Sequence, residues 1–181
     1  ERCEKRVDAQ LAREIEVALP RELSPVQMRE LVRGFARDCF VAAGMVADIA
    51  FHHLSGSNPH AHILLTLRDW QGGAFGLKRR DWNERTLCER WRTAWADHAN
   101  AALERAGDTA RIDPRTLVEQ AVDAVQAGRD GEACALDRQP TIHERGNPAA
   151  IAHNARVRDT NAARLAEWAA IEHVAQQDGP A

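Results

Sequence analysis

Three histidines are spaced so that they can build one metal site, because His52 lies near the end of one strand-like run and His60 and His62 open the next. Residues two apart on a strand point to the same face, with Cα atoms roughly 6.5–7 Å apart, so His60 and His62 can aim two imidazoles at one ion. A neighbouring strand can supply the third nitrogen. The spacing predicts a divalent-metal centre, and the alternative is that these histidines are ordinary structural residues.

The alternation of apolar and polar residues indicates which histidine is the third ligand. In the first run, Met, Ala, Ile and Phe occupy one parity and leave Asp48 and His52 on the other. In the second run, the apolar parity lies opposite His60 and His62. Successive strand residues point to opposite faces, so we expect His52 to face the pair and His53 to point away.

Carboxylates are available to orient the histidine rings. The run Arg13–Pro20 alternates apolar and polar residues, which is typical of a strand with one buried face. Glu14 and Glu16 fall on its polar face. Together with Asp48, they can accept hydrogen bonds from the outer nitrogens of the ligands. The alternative is that all three are exposed carboxylates without a role at the site.

A small set of strands and helices must position these residues. Two adjacent antiparallel strands are expected at Met45–His53 and His60–Arg68, joined by a loop rich in Ser, Gly, Asn and Pro. Ser24 and the following Pro predict the start of a helix, and Gln71-Gly72-Gly73 predicts a turn. Further helices are expected at about Glu84–Ala106, at Pro114–Ala127 and from Asn147 to about Gln176.

We therefore predict an α+β fold, in which a central antiparallel sheet of about three strands is packed with helices and followed by a long C-terminal helix. Three regions are expected: a domain over 1–127, a linker over 128–146 that lacks periodicity, and a helical extension over 147–181.

Composition narrows the class of protein. Four cysteines without a CxxC pair favour reduced thiols in the cytoplasm over a disulfide framework or a zinc ribbon. Apolar residues form no run of about 18, so neither a membrane span nor a signal peptide is expected. The net charge of −3 is not that of a bulk nucleic-acid binder, so any contact with nucleic acid must be local.

The stretch Lys5–Arg115, about two thirds of the chain, resembles the MobA/MobL relaxases of bacteria, a family of His-hydrophobe-His (HUH) endonucleases with a central antiparallel sheet. The resemblance implies that His52, His60 and His62 bind a divalent ion, Mn²⁺ or Mg²⁺. It further implies nicking of DNA at a transfer origin in plasmid mobilisation, by attack of a tyrosine that becomes joined to the 5′ phosphate. The matching segments, in order, are EVALPRELS at 16–24, GMVADIAFH at 44–52, NPHAHILLTLR at 58–68 and WRTAWADHAN at 91–100.

The partner implied by this resemblance is single-stranded or melted DNA at a transfer origin, with accessory transfer proteins. Trp91 and Trp95 lie one helical turn apart and can stack bases, but core packing is the stronger interpretation. Basic and hydroxyl side chains near the site strands are candidates for binding DNA phosphates, against the alternative of a solvated loop. These candidates are Thr66, Arg68, Lys78, Arg79 and Arg80.

The sequence contains no tyrosine, so the nucleophile that the family uses is missing from these 181 residues. The chain opens without Met in a segment of helical composition, Glu1–Leu11, and we expect that N-terminal strands were lost by truncation or incomplete sequence. Divergence to another nucleophile is the alternative. Two other functions remain open: a module that binds metal and single-stranded DNA without catalysis, and a small-molecule hydrolase that uses the same histidines.

Overall fold

The computed structural model describes residues 6–142, 144 and 146–177, with 172–177 described by their backbone. The chain divides into two compact units, one that ends at Pro114 and one that begins at Arg115. The α+β fold predicted from the sequence is confirmed. Within the described residues the helices are α1 at Pro25–Ala36, α2 at Arg85–Arg105, α3 at Leu117–Gln126, α4 at Asp130–Leu136 and α5 at Pro148–Gln177.

A three-stranded antiparallel sheet forms the centre of the first unit and confirms the predicted pairing. Its middle strand, β3, pairs on one side with β1 and on the other with β2. The apolar positions of β3, Ala61, Ile63 and Leu65, are at most 1% exposed and face the core. The opposite parity therefore forms an open, polar face. The bounds are β1 at Ala12–Ala18, β2 at Ala47–His52 and β3 at His60–Thr66.

Helix α1 begins where the sequence predicted. Ser24 is its N-cap, with Pro25 in the first turn, and Ser24 and Gln27 form a reciprocal capping box that satisfies two backbone N–H groups. Its apolar stripe is buried in the core: Met28, Leu31, Val32 and Phe35. The helix continues into a π-helical turn at Arg37–Val41, and the following Gly44 has a φ of 95°.

Helix α2 packs on the same core and places its tryptophans there. The Trp95 ring meets the edge of Phe35 at a centroid distance of 5.1 Å, and the Trp91 ring meets Phe40 at 5.2 Å. Both tryptophans are partly buried against the core cluster. Core packing is therefore their role, and base stacking by these two residues is not supported.

A second, two-stranded sheet follows β3 and was predicted only as a turn. Its strands are β4 at Arg68–Trp70 and β5 at Phe75–Lys78, which pair antiparallel. Gly72 and Gly73 have φ values of 63° and 136°, a backbone conformation that favours glycine. Both strands are too short to show a clear period in the sequence.

The described part of the second unit contains three helices, α3, α4 and α5. Thr116 caps α3 with a capping box to Glu119. The sequence prediction of an irregular linker over 128–146 differs from the structure at Asp130–Leu136, which form α4. Ala133 of α4 is 8% exposed, and this short helix packs against α3. Such packing stabilises a helix whose sequence shows little helical periodicity of apolar residues. The division of the chain at 127 and 146 stays a prediction.

Helix α5 confirms the predicted C-terminal helix. Two of its asparagine side chains form hydrogen bonds with the segment that precedes it. The side chain of Asn154, which is 3% exposed, bonds both the N–H and the C=O of Ile142, and Asn161 does the same for Gln139. No helix in the described part of the chain is long and apolar enough to cross a membrane.

The helix predicted for Glu1–Leu11 is not found in residues 6–11, which form a turn and irregular backbone before β1. Residues 1–5 lie outside the described part of the chain.

Candidate metal centre

Three histidine rings cluster on the polar face of the sheet. The ring centroids of His52 and His60 are 5.2 Å apart, those of His52 and His62 are 5.0 Å apart, and those of His60 and His62 are 5.3 Å apart. Two imidazoles that bind one ion through nitrogens about 2.1 Å away, at a near-tetrahedral angle, hold their centroids about 5 Å apart. The spacing of the rings therefore fits a shared ion.

The cluster follows from strand register. His52 of β2 lies directly across from His60 of β3, and His62 lies across from Glu16 of β1. Within β2 the residues alternate between half-buried and exposed, and His52 falls on the exposed parity. The predicted orientation of His52 towards the pair is confirmed.

Hydrogen bonds orient two of the rings. Nδ1 of His60 lies 2.8 Å from the carbonyl oxygen of Asn58, and Nδ1 of His62 lies 2.7 Å from Oε1 of Glu14. Both oxygens accept only, so in a neutral ring each Nδ1 carries the proton and each Nε2 offers its lone pair. In this tautomer Nε2 is free to bind a metal ion, and Glu14 accepts a hydrogen bond from a histidine ring, as the sequence predicted.

Glu16 lies near two of the histidines at once. A carboxylate oxygen of Glu16 and ring nitrogens of His60 and His62 all lie within 4.8 Å of one another. Glu16 is thus a candidate ligand in its own right. His52 is not a member of this closest group; its ring stacks on His60 with an interplanar angle of 20°, and its role as a ligand stays a prediction.

Asp48 is exposed on β2 and lies across from Leu64 rather than from a histidine. Among the described residues, no hydrogen bond links Asp48 to a histidine ring. The structure therefore gives it no contact through which to orient a ligand.

The prediction that His53 points away from the cluster is wrong. β2 ends at His52, and His53 has a φ of 52°, in the left-handed region. Its ring centroid lies 5.8 Å from that of His60 at a tilt of 34°. Alternation holds only while the backbone stays extended, so the rule did not apply to this residue. The N–H of Gly56 donates to the His53 carbonyl oxygen at 2.8 Å and closes the turn.

The candidate phosphate-binding residues form contacts within the protein. Thr66 Oγ1 accepts from the N–H of Val46 at 3.0 Å and donates to the Arg68 carbonyl oxygen at 2.9 Å. Lys78 Nζ donates to the Gln10 carbonyl oxygen at 2.6 Å, which joins β5 to the segment before β1. These two side chains therefore help to fix the strands.

The arginines of this region differ in exposure and pairing. Arg68 donates to the Gly76 carbonyl oxygen across the hairpin at 3.1 Å. Arg79 pairs with Asp81 at 2.6 Å, and this bond raises the pKa of Arg79 and lowers the pKa of Asp81. Arg80 is exposed. Binding of DNA by these residues stays a prediction.

A cleft of about 510 Å³ lies between β1 and α2. Arg13 spans its wall, where it donates to the Trp82 carbonyl oxygen at 2.7 Å and places its guanidinium 5.4 Å from the centroid of the Trp91 ring. The surface of the cleft is mainly apolar and includes three tryptophans, and Glu14 and Glu16 of the candidate metal centre lie along its β1 wall.

The fold and the site together describe an α+β protein with a nitrogen-rich candidate metal centre on the open face of an antiparallel sheet. Residues 1–139 match the family model of the MobA/MobL family. This chain belongs to that family, whose members are relaxases. The family resemblance predicted from the sequence motifs is confirmed.

The relatives of the chain are mobilisation and conjugal transfer proteins. It is 37% identical to Mobilization protein A of Escherichia coli in an alignment 142 residues long that covers 66% of this chain and 19% of that protein. It is 34% identical to Conjugal transfer protein TraA of Rhizobium radiobacter in an alignment 164 residues long that covers 79% of this chain and 14% of that protein. The chain therefore spans less than a fifth of the length of these two relatives.

One solved structure is similar as well, described as "Molecular Basis of Vancomycin Resistance Transfer in Staphylococcus aureus". It aligns with a TM-score of 0.59 at 34% identity and covers 63% of this chain and 62% of the solved one.

Proposed function

We propose that this chain is the metal-binding part of a relaxase that nicks DNA at a transfer origin. The observation that carries the proposal is the cluster of His52, His60 and His62, with ring centroids 5.0–5.3 Å apart on one face of the sheet. Family membership and the names of the relatives support the role in DNA transfer. The proposed setting is the bacterial cytoplasm, with accessory transfer proteins as partners.

The proposed ion is Mn²⁺ or Mg²⁺, bound by His52, His60 and His62 with a carboxylate oxygen from Glu16. Imidazole suits transition metals and carboxylate suits Mg²⁺ and Mn²⁺, so of these two ions the mixed donor set favours Mn²⁺. When bound, such an ion polarises the non-bridging oxygens of the scissile phosphate and stabilises the negative charge of the transition state. Glu14 holds the His62 ring so that its second nitrogen stays available.

The nucleophile in this proposal is a tyrosine from another part of the parent protein, because these 181 residues contain none. Its phenolate oxygen attacks the phosphorus, the 3′ oxygen leaves, and the 5′ phosphate stays on the tyrosine until a reverse transfer releases it. A serine is a poor substitute, because its hydroxyl is much harder to deprotonate and is a worse leaving group than a phenol. β1 is an edge strand of the described sheet, so a further strand can pair with it.

A second candidate function is a module that binds metal and single-stranded DNA without cutting it. The observation that favours it is the absence of tyrosine from the sequence. The two functions share the histidine cluster and differ only in whether a covalent intermediate forms.

The test is incubation with Mn²⁺ and a single-stranded origin oligonucleotide, followed by a denaturing gel. We expect no covalent adduct with the 181-residue chain, and a 5′-linked adduct with a version extended upstream to include a tyrosine-bearing strand. The His62→Ala variant of the extended version should form none. An adduct with the short chain would mean that another residue is the nucleophile, and no adduct with the extended version would favour the binding module.

A further inference from the structure

Three large apolar side chains are exposed on the β4–β5 hairpin: Trp70 is 48% exposed, Phe75 51% and Leu77 84%. Trp70 and Phe75 pair across the two strands, with ring centroids 5.0 Å apart and an interplanar angle of 71°. We call the ring pair of Trp70 and Phe75 the hairpin patch; Leu77 is exposed on the same hairpin but is not part of this pair. These side chains are not buried in a core, so core packing does not explain why they are apolar. A contiguous exposed apolar surface is typical of a binding site.

The turn of the hairpin is open to solvent at both of its glycines. A Cβ built on Gly72 or Gly73 would meet no heavy atom within 4 Å. The two strands are held together independently of the aromatic pair, because Arg68 donates across the hairpin to Gly76. The two half-exposed rings therefore lie on a hairpin that other hydrogen bonds hold together, and a flat ligand can approach them from solvent.

The charge near the hairpin patch selects the kind of ligand. Residues 68–81 carry four basic and two acidic side chains, a local charge of +2 in a chain whose net charge is −3. β5 ends at Lys78, and Arg79 and Arg80 follow it directly. Exposed aromatic rings beside basic side chains are the combination that binds single-stranded nucleic acid, because bases stack on the rings while cations meet the phosphates. An apolar protein partner would not need this local excess of positive charge.

The position of the hairpin fits a strand of DNA that also reaches the candidate metal centre. β4 follows β3 after a single residue, so the hairpin continues from the strand that carries His60 and His62. Eight residues separate His62 from Trp70, which at about 3.3 Å per residue is at most roughly 26 Å. An unpaired strand can span that distance with a few nucleotides.

We propose that Trp70 and Phe75 form a stacking platform for unpaired bases of the DNA strand that passes the metal centre. This inference rests on the proposed function, since it names the residues that contact its DNA. Stacking depends on the π-face that every base has, so the platform tolerates many sequences and strengthens binding without reading the nick site.

The test is binding of fluorescein-labelled oligo-dT and oligo-dA, each of about 12 nucleotides, to the full 181-residue chain by fluorescence anisotropy. Trp70→Ala and Phe75→Ala are each expected to raise Kd at least about fivefold, the lower end of the measured range for base stacking. Trp70→Phe should keep most of the affinity. Leu77→Ala is the matched control, because Leu77 is exposed on the same hairpin but has no π-face, and it should change Kd little.

Three results would overturn the platform. The first is an unchanged Kd for DNA in Trp70→Ala, and the second is an equal loss of DNA affinity in Leu77→Ala. The third is a Trp70→Ala variant whose apparent mass on size exclusion differs from that of the wild type while its DNA binding does not. The last would assign the hairpin patch to protein association. Metal binding, measured in parallel, separates this inference from the proposed function. If the chain binds metal but its affinity for DNA does not depend on Trp70, the platform is refuted and the metal centre stands. If its affinity for DNA depends on Trp70 but it binds no metal, the metal centre is refuted and the platform stands.

Discussion

Removal of the Glu14 carboxylate tests the metal centre through a residue that is not its ligand. Oε1 of Glu14 accepts from Nδ1 of His62 at 2.7 Å, and the side chains of His62 and Glu14 are 30% and 62% exposed. The bond keeps the proton on Nδ1 and leaves Nε2 for the ion. Glu14→Ala should therefore weaken metal binding without removing a donor atom.

The expected loss is about tenfold in affinity for Mn²⁺. Removal of such an outer partner costs 10–100-fold in metal affinity, and the exposure of Glu14 means that water screens part of its charge, which selects the low end of about 10-fold, or about 1.4 kcal/mol. Glu14→Gln keeps an oxygen that can accept from Nδ1 but loses the charge, so its loss should be smaller. Glu16→Ala should cost more than either, because Glu16 can contribute a donor atom itself.

Calorimetric titration of Mn²⁺ into the wild-type chain and the three variants measures these losses. Asp48→Ala is the control, because Asp48 is a carboxylate exposed on the neighbouring strand β2 and has no hydrogen bond to a histidine among the described residues. Its affinity should match the wild type. An equal loss in Asp48→Ala would show that general negative charge, and not the Glu14 bond, sets the affinity; wild-type affinity in Glu14→Ala would refute the reasoning outright.

Three further outcomes are expected. His53→Ala should weaken Mn²⁺ binding less than His60→Ala does, since the His53 ring lies at the edge of the cluster, and equal losses in the titration would make His53 a ligand. Burial raises the pKa of the Cys39 thiol, which lowers its thiolate fraction at neutral pH, so iodoacetamide should label Cys39 more slowly than the exposed Cys88, as peptide mass spectrometry can check. Ser24→Ala should lower the free energy of unfolding by about 1 kcal/mol in urea titrations, because it removes the N-cap of α1; an unchanged midpoint would contradict the capping argument.

Most elements of the first unit were predictable because their determinants are local. The capping residues at Ser24 and the apolar stripe that follows predict α1 without any knowledge of the rest of the fold. Alternation predicted which face of β3 is buried and that His52 shares the face of His60 and His62. Both arguments use neighbours within a few residues, and the hydrophobic effect favours the same pattern in any fold.

The misses occurred where a local pattern stops applying. His53 was assigned by alternation, but it follows the last residue of β2 and adopts a left-handed conformation that turns its ring back towards His60. The hairpin aromatics Trp70 and Phe75 belong to strands of three and four residues, too short for a period to be visible. Helix α4 forms because it packs on α3, a contact between segments that no local signal predicts.

The sequence by itself determined the residue types of the site, the face on which they lie and the family. The tertiary structure decided how the two glutamates of β1 divide their roles, since both share one parity and no spacing rule separates them. Pairing of β1 with β3 sets Glu16 directly opposite His62, within reach of the site, and lets Glu14 reach Nδ1 of the same ring. Register arises from packing and hydrogen bonding between strands that are 48 residues apart in the chain, and alternation within one strand carries no information about it.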